Sequence, residues 1–231
     1  MNEKIRISYF SDVLCVWAYI AQIRLDELKL NYVDKLDIHY HFIPLFGCTE
    51  KRIGEGWKDK GGFKGFGDHV KDVCSQFDHV DVHADIWTTA IAKSSATSHL
   101  FLKSVKLLEE KELTSKDPVD GNNTLFEQIA WEIRLAFFKD GLDISHMDTL
   151  FSIAQKHKLP TDKLKKLIDN GEALASLCRD VELRDEYRVE GSPTFILNEG
   201  RQKLYGNLGY KIIEANVQEV LNRPENQATW C

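Results

Sequence analysis

Apolar and polar residues alternate in KIRISYF near the N-terminus, and this period of two predicts a strand that turns at Ser11-Asp12. From Val16 to about Leu30 the spacing lengthens to three and four. Tyr19, Ile20, Ile23, Leu25 and Leu28 then recur at helical spacing. LDIHYHFIPL alternates again and is ended by Pro44 and Gly47. Strand, helix and strand in such close succession predict a right-handed βαβ unit with parallel strands.

The pattern then changes. GCTEKRIGEGWKDKGGFKGFGD, residues 47–68, is rich in Gly and Lys without a clear period, which predicts a long loop or mobile flap. From about 69 to 188 nearly everything reads as helix. SATSHLFLKSVKLLEEKEL, TLFEQIAWEIRLAFFKDG, SHMDTLFSIAQKHKL and TDKLKKLIDNGEALASLCRDVELRDEYR are separated by DPVDGN, Gly141 and Leu159-Pro160. Strand signals return in SPTFILNEG and KLYGN as a hairpin around Glu199-Gly200. A closing helix over Tyr210 to Leu221 carries Ile212, Ile213, Val217, Val220 and Leu221. The expected fold is α/β: a small mixed sheet assembled from both termini, residues 1–48 and 188–231, with a loop and all-helical insertion over residues 49–187.

Composition narrows the function. A chain of 231 residues with 43% hydrophobic and 29% charged residues suits a soluble domain with a substantial core. Its net charge of −6 carries no basic footprint, which argues against nucleic acid or anionic membrane as a partner. No apolar run has the length of a membrane span, and a strand beginning at Lys4 leaves no room for a signal peptide, so a cytoplasmic location is expected. The five cysteines, at 15, 48, 74, 178 and 231, are odd in number and scattered, which reads as free thiols in a reducing compartment.

Two short stretches carry candidate chemistry. Cys15 opens the first helix, and the position three residues on is Ala18, giving Cys15-Val16-Trp17-Ala18 in place of a two-cysteine redox motif. Far along the chain, VEGSPTF places Pro193 at the start of a strand, where a proline lacks the amide that a ladder needs. An X-Pro bond is also where cis peptides occur, although a trans proline opening a strand is the more common arrangement.

Together, SDVLCVWAYIAQIRLDEL, IHYHFIPL, a helical insertion and V-x-G-S-P-T-F before a terminal hairpin and helix resemble the DsbA-like branch of the thioredoxin superfamily, most of all the FrnE-type oxidoreductases. The resemblance implies a thioredoxin-like mixed sheet with Cys15 as nucleophile at a helix N-terminus, facing a cis Pro193. It implies that the Ser192 backbone pairs with an extended thiol-bearing substrate, that Trp17 shapes the groove, and that Ser11 and Asp12 form the substrate-side turn. Two features depart from it. Redox members have Cys-Pro-Trp-Cys, and this chain lacks both that proline and the resolving cysteine. The related 2-hydroxychromene-2-carboxylate isomerases and kappa-class glutathione transferases carry a Gly-x-Asp-Arg-like stretch after the hairpin, where this chain has Gly206-Asn207-Leu208-Gly209.

A thiol at a helix N-terminus is expected to have a lowered pKa, since unpaired amides and the positive dipole end stabilise its anion. Asp12 nearby and the lack of a basic neighbour in sequence should moderate that effect. With Ala18 in the resolving position, an adduct on Cys15 has no local exit, and three routes stay open. An external thiol such as glutathione releases it; Cys48, at the same end of the sheet, resolves it; or Cys15 acts on a small electrophile. The partners are then protein disulfides, glutathione or other small-molecule thiols, with glutathione a co-substrate rather than a tightly bound cofactor, and a homodimer is compatible with the chain. A groove that only holds peptides is a further alternative.

Other signals are weaker. His79 and His83 have a helical ligand spacing but lack a second pair, so no metal site is expected. His39 and His41 read as half-buried strand histidines. GGFKGFG lacks the preceding strand and the closing Gly-Lys of a phosphate loop. Trp131 reads as a core or groove-wall aromatic, Cys178 as buried on a helix, and Cys231 as terminal and exposed.

Overall fold

A computed structural model describes residues 4–119 and 121–222. Strands β1 (Ile5–Ser11), β2 (Leu36–Phe42), β3 (Thr194–Leu197) and β4 (Gln202–Tyr205) form one sheet in the order β2-β1-β3-β4. β1 runs parallel to β2 and antiparallel to β3, so the first and last parts of the chain meet along β1. Helix α1 (Val16–Asn31) is the crossover between β1 and β2, and α8 (Tyr210–Leu221) closes the chain.

Central β1 is buried on both faces, as an inner strand must be. Ile5, Ile7 and Tyr9 join Leu25 and Leu28 of α1 and Ile213 and Val217 of α8 in one cluster. Phe10, on the alternate face, packs with Ile43, Val189 and Ile196.

The insertion supplies α2 (Gly62–Cys74), α3 (Ala96–Glu110), α4 (Leu125–Phe138), α5 (Met147–Lys156), α6 (Thr161–Asp169) and α7 (Glu172–Glu186). Its core is continuous with the first turns of α1: Val13, Leu14, Val16, Ala18, Tyr19 and Ile20 pack with Phe101, Ile129, Ile133 and Phe137. Thus α1 belongs to both cores, with its N-terminal half against the insertion and its C-terminal half against the sheet. Among the described residues no helix is long and apolar enough to cross a membrane.

Several expectations require correction. Residues 47–68 are not a loop: a π-helical turn over Glu50–Glu55 and a short 3₁₀ turn lead into α2. Glycine costs a helix about 1 kcal/mol relative to alanine. Here Phe63, Phe66, Val70 and Val73 share one buried face, and Phe63 and Phe66 pack on Trp87 with ring centroids 6.3 and 5.5 Å away. At Gly67 a Cβ would lie 2.4 Å from the Ile86 carbonyl oxygen, so this helix approaches its neighbour more closely than any side chain permits.

Residues 75–95 run as turns rather than helix, so His79 and His83 do not share a helical face. The single long helix expected over residues 161–188 is two, because Gly171 adopts φ 85° between α6 and α7. Cys178 is exposed: α7 buries Ala173, Leu177 and Asp180, and Cys178 falls off that stripe. His41 is buried rather than half-buried, while His39 keeps partial exposure beside Asp37 at 2.7 Å. Cys231 lies outside the described residues.

Candidate active site

The β1–α1 turn places Cys15 at the N-cap of α1, with extended backbone at φ −79° and ψ 113°. Its amide donates to the Asp12 carbonyl at 3.1 Å, and its carbonyl accepts from Tyr19 at 3.0 Å, beginning the helical ladder. The thiol donates to the Ser192 carbonyl at 3.2 Å, and the Ser192-Pro193 bond is cis. A second link joins the same two segments: the Asp12 amide donates to Ser192 Oγ at 3.0 Å. Cys15 and the Ser192-Pro193 turn, far apart in sequence, therefore form one site.

Cys15 is buried, retaining 6% of its surface. Its pKa is raised rather than lowered, and burial is the largest cause. The Ser192 side chain and the Ala18 backbone oppose the rise by hydrogen bonding to the anion; the Asp12 carboxylate adds to it and the Arg134 guanidinium reduces it. The helix terminus does supply an amide, but desolvation outweighs it.

Ser11 and Asp12 lie beneath the site and make internal bonds, rather than facing a substrate. The Asp12 carboxylate, fully buried, accepts from the Leu14 amide at 2.8 Å, the Phe46 amide at 2.9 Å and the Ser95 hydroxyl at 2.8 Å. Arg134, on α4, donates from one nitrogen to the Asp12 and Val13 carbonyls at 2.9 and 3.1 Å, and from the other to Ser11 Oγ at 3.1 Å. His99 Nε2, on α3, accepts from the Val13 amide at 3.1 Å while its ring stacks on Phe42. Burial holds the His99 pKa down to about 4, which keeps the ring neutral and able to accept that bond.

Ser95, His99 and Arg134 thus fasten the turn that presents Cys15, and sequence reasoning missed all three. Arg134 left a readable trace: it interrupts the apolar stripe of Ile129, Ile133, Ala136 and Phe137, a position where a charge needs a reason.

Trp17 is half-buried in the first turn of α1, against the core shared with the insertion. Trp131 is also half-buried, and stacks on Tyr19 with centroids 5.2 Å apart. Cys48 is exposed just beyond β2. Cys15, Cys48, Cys74 and Cys178 are all free thiols, so Cys15 and Cys48 are not bonded. Ala18 is fully buried. A cleft of about 460 Å³ at the β2 edge, lined by Lys29, Tyr40, Phe126 and Glu127 among others, includes neither Cys15 nor the Ser192-Pro193 turn.

No protein-family model matches the sequence, and no curated protein is similar to it. Solved structures do match. A candidate protein disulfide isomerase from Nitrosomonas europaea aligns with a TM-score of 0.73 at 14% identity, covering 96% of this chain and 100% of that one. The cytosolic disulfide reductase DsbM from Pseudomonas aeruginosa, solved with GSH, aligns with a TM-score of 0.62 at 18% identity, covering 92% and 99%. A 2-hydroxychromene-2-carboxylate isomerase gives 0.62 at 12% identity, covering 94% and 97%. With its four-stranded mixed sheet, its helical insertion and these structural neighbours, the chain has the DsbA-like thioredoxin fold.

Proposed function

We propose that this protein carries out thiol–disulfide exchange through a single nucleophile, Cys15, with an external thiol completing the cycle. The observation that carries the reading is the cysteine at the N-terminus of α1, 3.2 Å from the carbonyl that precedes a cis proline. The neighbour solved with GSH supports glutathione as the external thiol.

In the forward step the Cys15 thiolate attacks one sulfur of a disulfide. A mixed disulfide forms on Cys15 and the other sulfur leaves as a thiolate. In the return step a glutathione thiolate attacks the sulfur bonded to Cys15, which regenerates the Cys15 thiolate and leaves the substrate sulfur joined to glutathione. Ala18 offers no sulfur for an internal step. Because burial raises the thiol pKa, the rate should keep climbing with pH through the ordinary thiol range rather than levelling near neutrality.

Treating the reduced protein with oxidised glutathione and mapping every cysteine by mass spectrometry tests the reading. Preferential glutathionylation of Cys15, abolished in Cys15→Ser, is the expected result. A Cys15–Cys48 bond would instead identify Cys48 as the resolving partner. If Cys15 reacts no faster than exposed Cys178, exchange is excluded. The same burial favours a second reading, a groove that holds extended peptides without chemistry, which predicts peptide binding undiminished in Cys15→Ser.

A further inference from the structure

We infer that Arg134 is the charge that balances the Cys15 site, a positioning residue through which the helical insertion governs ionisation of the thiol. This rests on the reading of Cys15 as the nucleophile.

The hydrogen bonds of Arg134 are the starting point. The residue retains 4% of its surface, and its partners, two carbonyls and a hydroxyl, are all neutral. Among the described residues no carboxylate forms an ion pair with it. Burying a guanidinium without an anion is costly. The nearby carboxylate, Asp12, is likewise held by two amides and a hydroxyl rather than by a cation. Opposite charges thus sit around one turn without neutralising each other by contact.

The other ionisable groups around the turn set the charge count. His99 is neutral at physiological pH, and Tyr9, whose buried hydroxyl has no partner among the described residues, has its pKa pushed up to about 12. With Cys15 protonated, Asp12 and Arg134 cancel. Once Cys15 loses its proton the site holds one net negative charge. Without Arg134 it would hold two, in a place where water cannot screen them. The fork geometry also matters: bonds to the carbonyls of residues 12 and 13 fix the turn whose next residues enter α1, so one side chain supplies both charge and alignment.

The test is the pH profile of Cys15 alkylation by iodoacetamide, followed site by site by mass spectrometry, with circular dichroism to confirm folding. In Arg134→Met the midpoint should move to higher pH and the rate at neutral pH fall. The fall should be less than the roughly tenfold that a full pH unit in ionisation produces, since Arg134 exerts the weakest of the influences on the thiol. Arg134→Lys keeps the charge but loses the fork, so its midpoint should stay near that of the parent while its thermal stability falls. Asp12→Asn, which removes the opposing charge, should move the midpoint to lower pH and keeps the question open to test if Arg134→Met does not fold. Equal midpoints in the parent and Arg134→Met would overturn the inference whatever Asp12→Asn does, as would equal shifts in Arg134→Met and Arg134→Lys. Alkylation needs no disulfide substrate. Failure of glutathione exchange in the parent protein would therefore count against the proposed function and leave this profile to be judged separately.

Discussion

Asp12 and Asp180 are both buried carboxylates that tie the helical insertion to the sheet, yet they are satisfied in opposite ways. Asp180, on α7, contacts Lys103 Nζ at 3.0 Å and His41 Nδ1 at 2.9 Å, and accepts from the Phe42 amide at 2.8 Å. Its charge is closed by direct contact at the end of β2. Asp12 is held by neutral donors, and the cation beside it is held by neutral acceptors. The first arrangement is a bracket. The second leaves a field around a thiol. The difference separates a carboxylate whose charge is closed by contact from one that leaves two opposite charges beside the Cys15 thiol.

The strongest way to break this comparison is Asp180→Ala. It leaves Lys103 buried without a counter-ion and the Phe42 amide without an acceptor, for an expected loss of about 3–5 kcal/mol by urea denaturation. The Cys15 alkylation midpoint should not move in the folded fraction. A shift there would mean that the Asp180 and Asp12 sites are coupled.

A pH prediction follows from His99. Its folded pKa, about 4, lies below the ordinary 6.5, so the unfolded chain binds the proton more readily. The stability it contributes is complete above pH 6.5 and is lost as the pH falls towards 4, about 3 kcal/mol in all. His99→Gln, which can still offer an acceptor to Val13, should flatten the stability profile across that window. An unchanged profile would place the acid sensitivity elsewhere.

The smallest expected effect is that of Ser95→Ala. It removes one of three donors to the Asp12 carboxylate and should cost about 2 kcal/mol, less than Asp180→Ala because two amides remain. A loss as large as that of Asp180→Ala would show that the neutral donors act as a single unit.

How much of this was legible depends on the range of the interactions. β1, α1, β2, the terminal hairpin and α8 follow from local periodicity, and the structure places them where the alternation and the helical spacing do. The α2 region failed because its glycines mask the Phe63, Phe66, Val70 and Val73 stripe, and tertiary packing overrides weak propensity. Cys15 and Pro193 were legible as a pair only through their combined resemblance to a known fold. The burial of Cys15 and the roles of Ser95, His99 and Arg134 were not, since partners 83 to 123 positions away leave no local pattern. The expected drop in the thiol pKa failed for the same reason: the helix terminus is a local feature, and the desolvation that outweighs it is not.

The bond from the Asp12 amide to Ser192 Oγ spans 180 positions. Chain synthesis therefore sets an order of assembly. Cys15 is made before Ser95 and His99 of the α3 segment and Arg134 of α4, which fasten its turn, and the Ser192-Pro193 wall is made after all of them. Contacts so distant in sequence add little loop-closure entropy beyond those of moderate range, but they delay completion. Cys15 is therefore made well before the wall opposite it, and its site closes only once the segment carrying Ser192 has been added.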